Sequence, residues 1–145
     1  MKQSTQKIEL NYKAADLYKI VLDIDEYPNY IPWCTDIKII SKNKKQIIAN
    51  MIVDYKIFPT QKFTSKVDFD FKKLIIKTQY IEGPLKNLNT IWQFKDFKKN
   101  KSKIIFIVEF EFKNLFHQKL AELFYPLIEK KMVNSFIKRA EEILN

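Results

Sequence analysis

Few side chains in this sequence are of a type that could do chemistry. It contains one cysteine, Cys34, and one histidine, His117. A cysteine nucleophile needs a base, and His117, far along the chain, is the one histidine that could supply it. Cys34 stands beside Trp33, where a lone thiol is typically a buried structural residue, so we favour a structural role. One cysteine and one histidine also argue against an internal disulfide and most metal sites, so no metal is expected.

Three carboxyl residues, Asp23, Asp25 and Glu26, cluster where the first predicted helix ends. An apolar cavity could tune such a group for acid–base catalysis. A solvated helix end is the interpretation we favour. His117 lies near the start of the last predicted helix and is interpreted as a surface or capping-region residue, with Asn114 as the candidate helix cap.

Glycine is almost absent, since Gly83 is the single example in 145 residues. This excludes the glycine-rich loops that bind phosphates or dinucleotides, and the sequence has no G-x-S-x-G or H-E-x-x-H motif. No catalytic set is visible, so we predict that the protein is not an enzyme. The retained Gly83-Pro84 pair indicates a turn whose geometry requires glycine, and the loop Glu82 to Lys86 is expected to close over one end of a sheet.

The formal net charge of +9 allows two interpretations. A surplus of positive charge attracts anionic partners such as nucleic acid or a lipid surface. However, Arg139 is the one arginine among the 26 basic residues, and arginine is the usual choice for phosphate recognition. Lysine, isoleucine, asparagine and phenylalanine are all used heavily, which favours a general compositional bias over a selected binding face.

The element that dominates the chain is a long C-terminal helix, predicted over Asn114 to Leu144. Burying its many large apolar side chains requires a broad apolar partner, which favours a sheet over a second small helix. Pro126 removes one backbone donor, so we expect a kink or curve between Glu122 and Pro126. The apolar residues recur at steps of three and four, as on one helix face: Leu120, Leu123, Phe124, Leu127, Ile128, Met132, Val133, Phe136, Ile137, Ala140 and Leu144.

The rest of the chain predicts two short helical elements and seven strands. Residues 5–10 alternate with period two and predict an edge strand. Residues 13–24 have helical spacing, and the proline-containing segment 27–34 predicts a compact turn or short helical loop. Period two then continues from 36 to 112 and predicts six more strands, in an antiparallel sheet with one wet face. The breaks between them fall at 42–45, 58–60, 71–73, 82–86 and 98–101.

These elements together predict an α+β helix-grip fold, in which a curved seven-stranded antiparallel sheet wraps around the long helix. The two short helical elements follow the first strand, and the length fits a single domain over 1–145. The N-terminus has no signal-peptide core and no run is long enough to span a membrane, so we expect a soluble, cytoplasmic protein. The side chains expected to face the interior are Phe63, Trp92, Phe106, Phe110 and Leu127.

Four motifs occur in order along nearly the whole chain: Tyr27-Pro28-x-Tyr30-Ile31-Pro32-Trp33-Cys34, Gly83-Pro84-x-x-x-Leu88-x-x-x-Trp92-x-Phe94, Phe110-Glu111-Phe112 and Lys131-Met132-Val133-x-x-Phe136-x-x-Arg139-Ala140. Together they closely resemble the coenzyme Q-binding, START-like family, within the polyketide cyclase/dehydrase and lipid transport superfamily. The resemblance implies a helix-grip fold around an apolar cavity for a quinone or lipid. It assigns structural roles to Tyr27, Pro28, Pro32, Trp33, Gly83 and Pro84.

The function that the resemblance implies is non-catalytic binding of coenzyme Q (ubiquinone) or a similar prenylquinone or lipid, in support of respiratory quinone function or biosynthesis. Ubiquinone would be a bound ligand, and no cofactor is expected. The predicted cavity lies between the sheet and the segment Leu123 to Met132. Its predicted lining is Phe58, Leu85, Trp92, Phe124, Leu127, Ile128 and Met132.

Two alternatives stay open. Bacterial members of the family include ribosome association toxins of toxin–antitoxin systems, which implies binding to the large ribosomal subunit and a block of subunit joining; the +9 charge would suit such a partner. An aromatase or cyclase activity has superfamily analogy alone in its favour. The expected partners are therefore a hydrophobic small molecule, an anionic membrane contacted peripherally, such as the inner membrane, or the ribosome. DNA is not expected.

Overall fold

The computed structural model describes residues 2–55 and 58–145, and of residues 55, 58 and 59 it describes the backbone alone. Within that part of the chain, two short helical elements, seven strands and the long C-terminal helix follow the predicted order. The elements are β1 (Lys2–Leu10), α1 (Ala14–Leu22), a 3-10 helix (Ile24–Asn29), β2 (Cys34–Lys42), β3 (Gln46–Tyr55), β4 (Phe58–Asp70), β5 (Ile75–Glu82), β6 (Leu85–Lys98), β7 (Lys101–Phe112) and α2 (Leu115–Leu144).

The described strands form a single antiparallel, curved and open sheet in the order β1-β7-β6-β5-β4-β3-β2. The predicted α+β helix-grip architecture is therefore confirmed, and β1 is an edge strand as expected. Two predicted boundaries differ from the structure: β1 begins at Lys2 and not at residue 5, and the break at 58–60 lies inside β4, which begins at Phe58. Pro59 is the second residue of that strand, and a proline near a strand start removes little of the ladder.

The core lies between the sheet and two helices, α1 and the C-terminal half of α2. Phe136 of α2 packs against Trp92 of β6, with ring centroids 5.2 Å apart, and Trp92 in turn contacts Phe106 of β7 at 4.2 Å. Ala140, one helical turn after Phe136, is fully buried. Aromatic contacts of this kind contribute beyond the area that they bury, so this cluster holds one end of α2 on the sheet.

The N-terminal half of α2 departs from the predicted pattern. Leu127, expected to face the interior, is exposed, and so is Leu123. The side chains that face the sheet there include Gln118, Ala121 and Glu129, all buried. At about 100° per residue, Leu123 and Leu127 lie about 160° and 120° around the helix from Ala121 and therefore point away from the sheet. The helix is continuous through Pro126, and the expected kink stays a prediction.

Gly83 forms the turn between β5 and β6, as the sequence predicted. Its φ of +146° belongs to a region that other residues rarely adopt. A Cβ atom there would lie 2.9 Å from the backbone oxygen of Lys62 and 3.1 Å from the Tyr80 hydroxyl oxygen. The Tyr80 hydroxyl also accepts a hydrogen bond from the Leu85 backbone N–H at 3.0 Å, so the turn cannot easily move away.

We expect Gly83→Ala to lower the free energy of unfolding by about 1–3 kcal/mol, because the backbone strain and the close contact with Lys62 act together. Urea unfolding followed by circular dichroism measures the loss. Lys86→Ala, in the same turn region but exposed, is the matched control and should stay within about 0.5 kcal/mol of the parent. A loss for Gly83→Ala no larger than that of the control contradicts the requirement for glycine.

Candidate ligand cavity

A cavity of about 200 Å³ lies between the N-terminal half of α2 and the sheet. Its wall is almost entirely apolar and combines the helix with four strands and two flanking loops. Helix α2 contributes His117, Ala121, Tyr125 and Ile128, and strands β6 and β7 contribute Leu85, Leu88, Val108, Phe110 and Phe112. Strands β3 and β4 contribute Val53, Gln61 and Phe63, and the flanking loops contribute Trp33 and Pro84. The space lies where α2 stands off from the sheet, at the end away from the Phe136 cluster.

Local geometry explains how these residues reach one wall. The four α2 residues are spaced at steps of four, four and three, which places them on a single helix face. Val108, Phe110 and Phe112 are every second residue of β7, so their side chains point to the same face of the sheet. Leu85 and Leu88 are three residues apart and would normally face opposite sides of β6. A register shift between Leu85 and Asn87 brings both to the inner side, where they pair with Phe112 and Phe110.

The side chain of Ala121 helps to keep this space open. Ala121 is 5% exposed and lies on the cavity wall, whereas Ala140 on the same helix is 0% exposed and lies in the packed core. A larger residue at Ala121 would enter empty volume. At Ala140 it would collide with close-packed neighbours.

We therefore expect Ala121→Leu to leave the free energy of unfolding unchanged or raise it, because an open cavity tolerates added methyl groups. The same change at the control position, Ala140→Leu, should cost about 1–3 kcal/mol through overpacking. Thermal and urea unfolding of the two variants and the parent give the comparison. Equal destabilisation by both substitutions contradicts an open cavity at Ala121.

Two buried polar side chains anchor the N-terminal half of α2 to the sheet edge. Glu129, 5% exposed, accepts hydrogen bonds from the Ser4 hydroxyl at 2.9 and 3.1 Å, the Gln6 amide at 2.7 Å and the Tyr125 hydroxyl at 2.7 Å. Gln118 accepts from the Phe112 backbone N–H at 2.7 Å. Burial and the hydrogen bond to Glu129 raise the pKa of Tyr125, whose ring lines the cavity. These hydrogen bonds hold this half of α2 at a set distance from the sheet, with the cavity between them.

Glu129→Leu should lower the free energy of unfolding by roughly 2–4 kcal/mol, because Ser4, Gln6 and Tyr125 lose a shared buried acceptor. Denaturant melts measure the effect. Glu142→Leu replaces an exposed glutamate of the same helix and should shift stability by less than about 0.5 kcal/mol. If the two variants unfold at the same denaturant concentration, the Glu129 anchor contributes no stability.

The cavity geometry agrees with part of the predicted lining. Leu85 and Ile128 line it. Trp92 belongs instead to the aromatic core with Phe106 and Phe136, because inward positions at the middle of β6 face the packed half of α2. Met132 packs against the same core, Phe124 is half-buried outside the wall and Leu127 is exposed. The side chain of Phe58 lies outside the described residues. Ligand contacts of these residues stay predictions.

The motif residues divide between the cavity and the Phe136 cluster. Trp33 and Pro84 line the cavity and Gly83 forms the adjoining turn. Tyr27 contacts Phe136 edge to face at 5.6 Å, and its hydroxyl donates to the Val21 backbone oxygen. Pro28 lies within the 3-10 helix, which confirms the predicted short helical loop, while Pro32 is exposed just after it.

The other residues considered for chemistry lie in less reactive settings. Cys34 is buried, and burial raises the pKa of its thiol to about 11, which keeps it protonated near neutral pH. Asp23 and Asp25 are exposed at a helix end, as favoured from the sequence, although partial burial and neighbouring carboxyl groups raise the pKa of Asp23. In the described part of the chain no cluster of three His, Cys, Asp or Glu side chains could hold a metal ion.

One part of the prediction for His117 holds, because it lies in the capping region of α2. Asn114 caps α2 as expected, since its side chain accepts from the backbone N–H groups of Phe116 and His117 at 2.8 and 3.1 Å. The His117 side chain, however, is half-buried on the cavity wall and not a surface group, with its ring 6.3 Å from that of Phe112. It faces the same side of α2 as Ala121, one turn along, and that helical spacing is the signal that could have placed it.

The fold and the cavity can be compared with known proteins. The model of the family described as polyketide cyclase/dehydrase and lipid transport matches residues 10–137, and the chain belongs to this family. Ribosome association toxin RatA of Rickettsia prowazekii is 30% identical over 138 residues, which cover 93% of each chain. The mitochondrial coenzyme Q-binding protein COQ10 of Drosophila melanogaster is also 30% identical over 138 residues, covering 92% of this chain and 56% of that protein.

Solved structures share the architecture at low sequence identity. The Zhui aromatase/cyclase from Streptomyces sp. R1128 superposes with a TM-score of 0.90 at 12% identity, over 99% of this chain and 96% of that one. A START superfamily protein from Mycobacterium smegmatis gives a TM-score of 0.84 at 14% identity, over 97% and 98%. These similarities establish the fold alone. None of the helices among the described residues is both long and apolar enough to cross a membrane.

Proposed function

We propose that the protein binds an apolar ligand, a prenylquinone such as coenzyme Q or another lipid, in the cavity under α2 without changing it chemically. The observation that carries the proposal is the wall itself: most of the side chains that line the space are apolar, and the polar ones among the described wall residues are Gln61, His117 and Tyr125. Similarity to the COQ10 protein of Drosophila supports a quinone as the ligand. Burial of apolar ligand surface would supply the affinity.

The volume constrains how such a ligand would sit. Apolar cavities of about 150 Å³ hold one benzene ring, whereas sites that enclose a drug-sized molecule measure about 300–1,000 Å³. A cavity of about 200 Å³ therefore suits one ring or a short stretch of chain. A prenylquinone would place one portion inside, and the rest of its tail would leave along the protein surface.

The proposal that the ligand is bound without chemical change rests on the types of side chain found among the described wall residues. Catalysis of acyl or proton transfer requires a nucleophile or a base whose pKa suits the task. His117 is a wall residue that could act as a base, but no cysteine, serine or threonine nucleophile lies beside it on the described wall. Cys34 is not among the wall residues, and its raised pKa disfavours the reactive thiolate. The family also contains aromatase/cyclase enzymes with this fold, and fold similarity alone does not assign their activity.

Extraction of lipid from the purified protein, followed by mass spectrometry, tests the proposal. We expect a prenylquinone or another lipid in a stoichiometric or near-stoichiometric amount in the parent and much less in Ala121→Leu, whose added side chain occupies the cavity. Ala121→Leu must retain the parent unfolding temperature for the comparison to be valid, and exposed Lys86→Ala is the control that should retain lipid. Parent protein free of lipid that also fails to take up added quinone contradicts the proposal.

A second candidate is a ribosome-binding role. It is favoured by similarity to RatA over 93% of both chains and by the net charge of +9, which would attract ribosomal RNA. Cosedimentation with purified large ribosomal subunits at low and moderate salt tests it. Binding that falls steeply with salt, together with fewer joined ribosomes, would support this role. Free protein at all salt concentrations would contradict it.

A further inference from the structure

The solvent-facing side of α2 over its N-terminal half is unusually apolar. Leu115 is 77% exposed, Phe116 68%, Leu123 73% and Leu127 46%. Scattered single hydrophobic residues are normal on protein surfaces, but a group on one segment of one helix marks an interaction site. The helix here has two apolar sides, of which the fold covers one.

The geometry of the helix places these residues together. Phe116, Leu123 and Leu127 follow one another at steps of seven and four, which keeps them within a narrow sector of the helix surface. Half-buried Leu120 lies in the same sector. We call Phe116, Leu120, Leu123 and Leu127 the outer stripe. Ala121 is on the cavity wall, and the outer stripe lies on the other side of the helix. One side of the helix therefore covers the cavity, and the other side presents the outer stripe to solvent.

The charges beside the outer stripe have one dominant sign. Lys119 is exposed in the N-terminal half of the helix, Lys130 and Lys131 are exposed directly after that half, and Lys113 is exposed just before the helix. No salt bridge between described residues involves any of these lysines. The exposed acidic residue of this segment is Glu122, which accepts a hydrogen bond from Gln118 at 3.1 Å, on the side away from the stripe. Exposed apolar groups flanked by free lysines therefore define this surface.

We propose that the outer stripe docks the protein on an anionic lipid surface, with α2 lying along the membrane plane. An interfacial helix has this composition: leucine and phenylalanine enter the boundary of the acyl chains, and lysines contact anionic headgroups. An RNA partner would use the lysines but would give no role to a stripe of leucines. A convex helix face also has no groove that would select a protein partner's side chains, whereas a lipid surface adapts to it.

This inference deepens the proposed function, because it names the surface at which a lipid would enter or leave the cavity. The segment that carries the outer stripe also contributes His117, Ala121 and Tyr125 to the cavity wall. Docking would bring that wall to the lipid phase. The two claims are tested apart, since vesicle binding is scored by flotation whether or not the cavity holds lipid, and lipid retention is measured with no vesicle present.

Flotation with vesicles is the test. Vesicles of about equal parts phosphatidylglycerol and phosphatidylcholine should bind the parent, and vesicles of phosphatidylcholine alone should bind it much more weakly. Leu123→Asp combined with Leu127→Asp should weaken binding at least tenfold. The matched control is Ile40→Asp, which alters an exposed isoleucine on β2, at the opposite edge of the sheet, and should bind as the parent does. All variants should retain the parent unfolding temperature.

The lysines supply a second, independent readout. Each replacement of Lys119 or Lys130 by glutamine should weaken binding to the anionic vesicles about fivefold, and raised salt should act in the same direction. Several results would overturn the inference: no flotation of the parent, equal flotation of the double aspartate variant and the parent, or an oligomer in light scattering that dissociates in that variant while vesicles are not bound. In that last case the outer stripe would be an interface between copies of this chain.

Discussion

The packing of Phe136 against Trp92 and Phe106 fixes one end of α2 on the sheet, and the rest of the architecture follows from what happens at the other end. The 30 residues of α2 extend over about 45 Å at 1.5 Å per residue. Once the Phe136 end is packed, the N-terminal half of α2 must either collapse onto the sheet or be held above it. Small and polar residues on the inner side of α2 hold this half of the helix above the sheet.

Polar anchors hold the helix at that height. Glu129 is tied to β1 through Ser4 and Gln6, and Gln118 is tied to the end of β7 through Phe112. Hydrogen bonds have a fixed length, so these contacts set a separation that apolar side chains alone would tend to close. With Ala121 between the two anchors, volume is left empty, and the strands beneath supply an apolar wall. Stability at one end of α2 and an open cavity at the other are thus properties of the same helix.

The sequence predicted the elements well, because long periodic segments carry a strong signal. The seven strands, the span of α2, its Asn114 cap and the need for Gly83 were all evident from spacing and residue type. The cavity wall was harder. Apolar residues occur on two sides of α2, and the side that faces the sheet includes Gln118 and Glu129, residue types that normally indicate solvent. The signal was nevertheless present, since one face carries Gln118, Tyr125, Glu129, Phe136 and Ala140 at alternating steps of seven and four.

Other features could not be read from the sequence. Leu85 reaches the wall through a register shift in β6, and such shifts depend on pairing with the neighbouring strand. Trp92 was expected beside the ligand because it is large and faces inward. The assembled fold decides which half of α2 lies opposite a given position on a strand. The place of Trp92 in the core therefore became visible only in the structure.

The position of Trp33 on the cavity wall allows the central claim, that this space binds a quinone, to be measured directly. A quinone ring inside the cavity would lie beside the indole and quench its fluorescence, whereas Trp92 is in the packed core. Titration of the purified protein with a short-chain ubiquinone should give saturable quenching that Trp33→Phe removes and Ala121→Leu shifts to much higher concentration. Quenching that does not saturate, or that is identical in Ala121→Leu, would contradict the account.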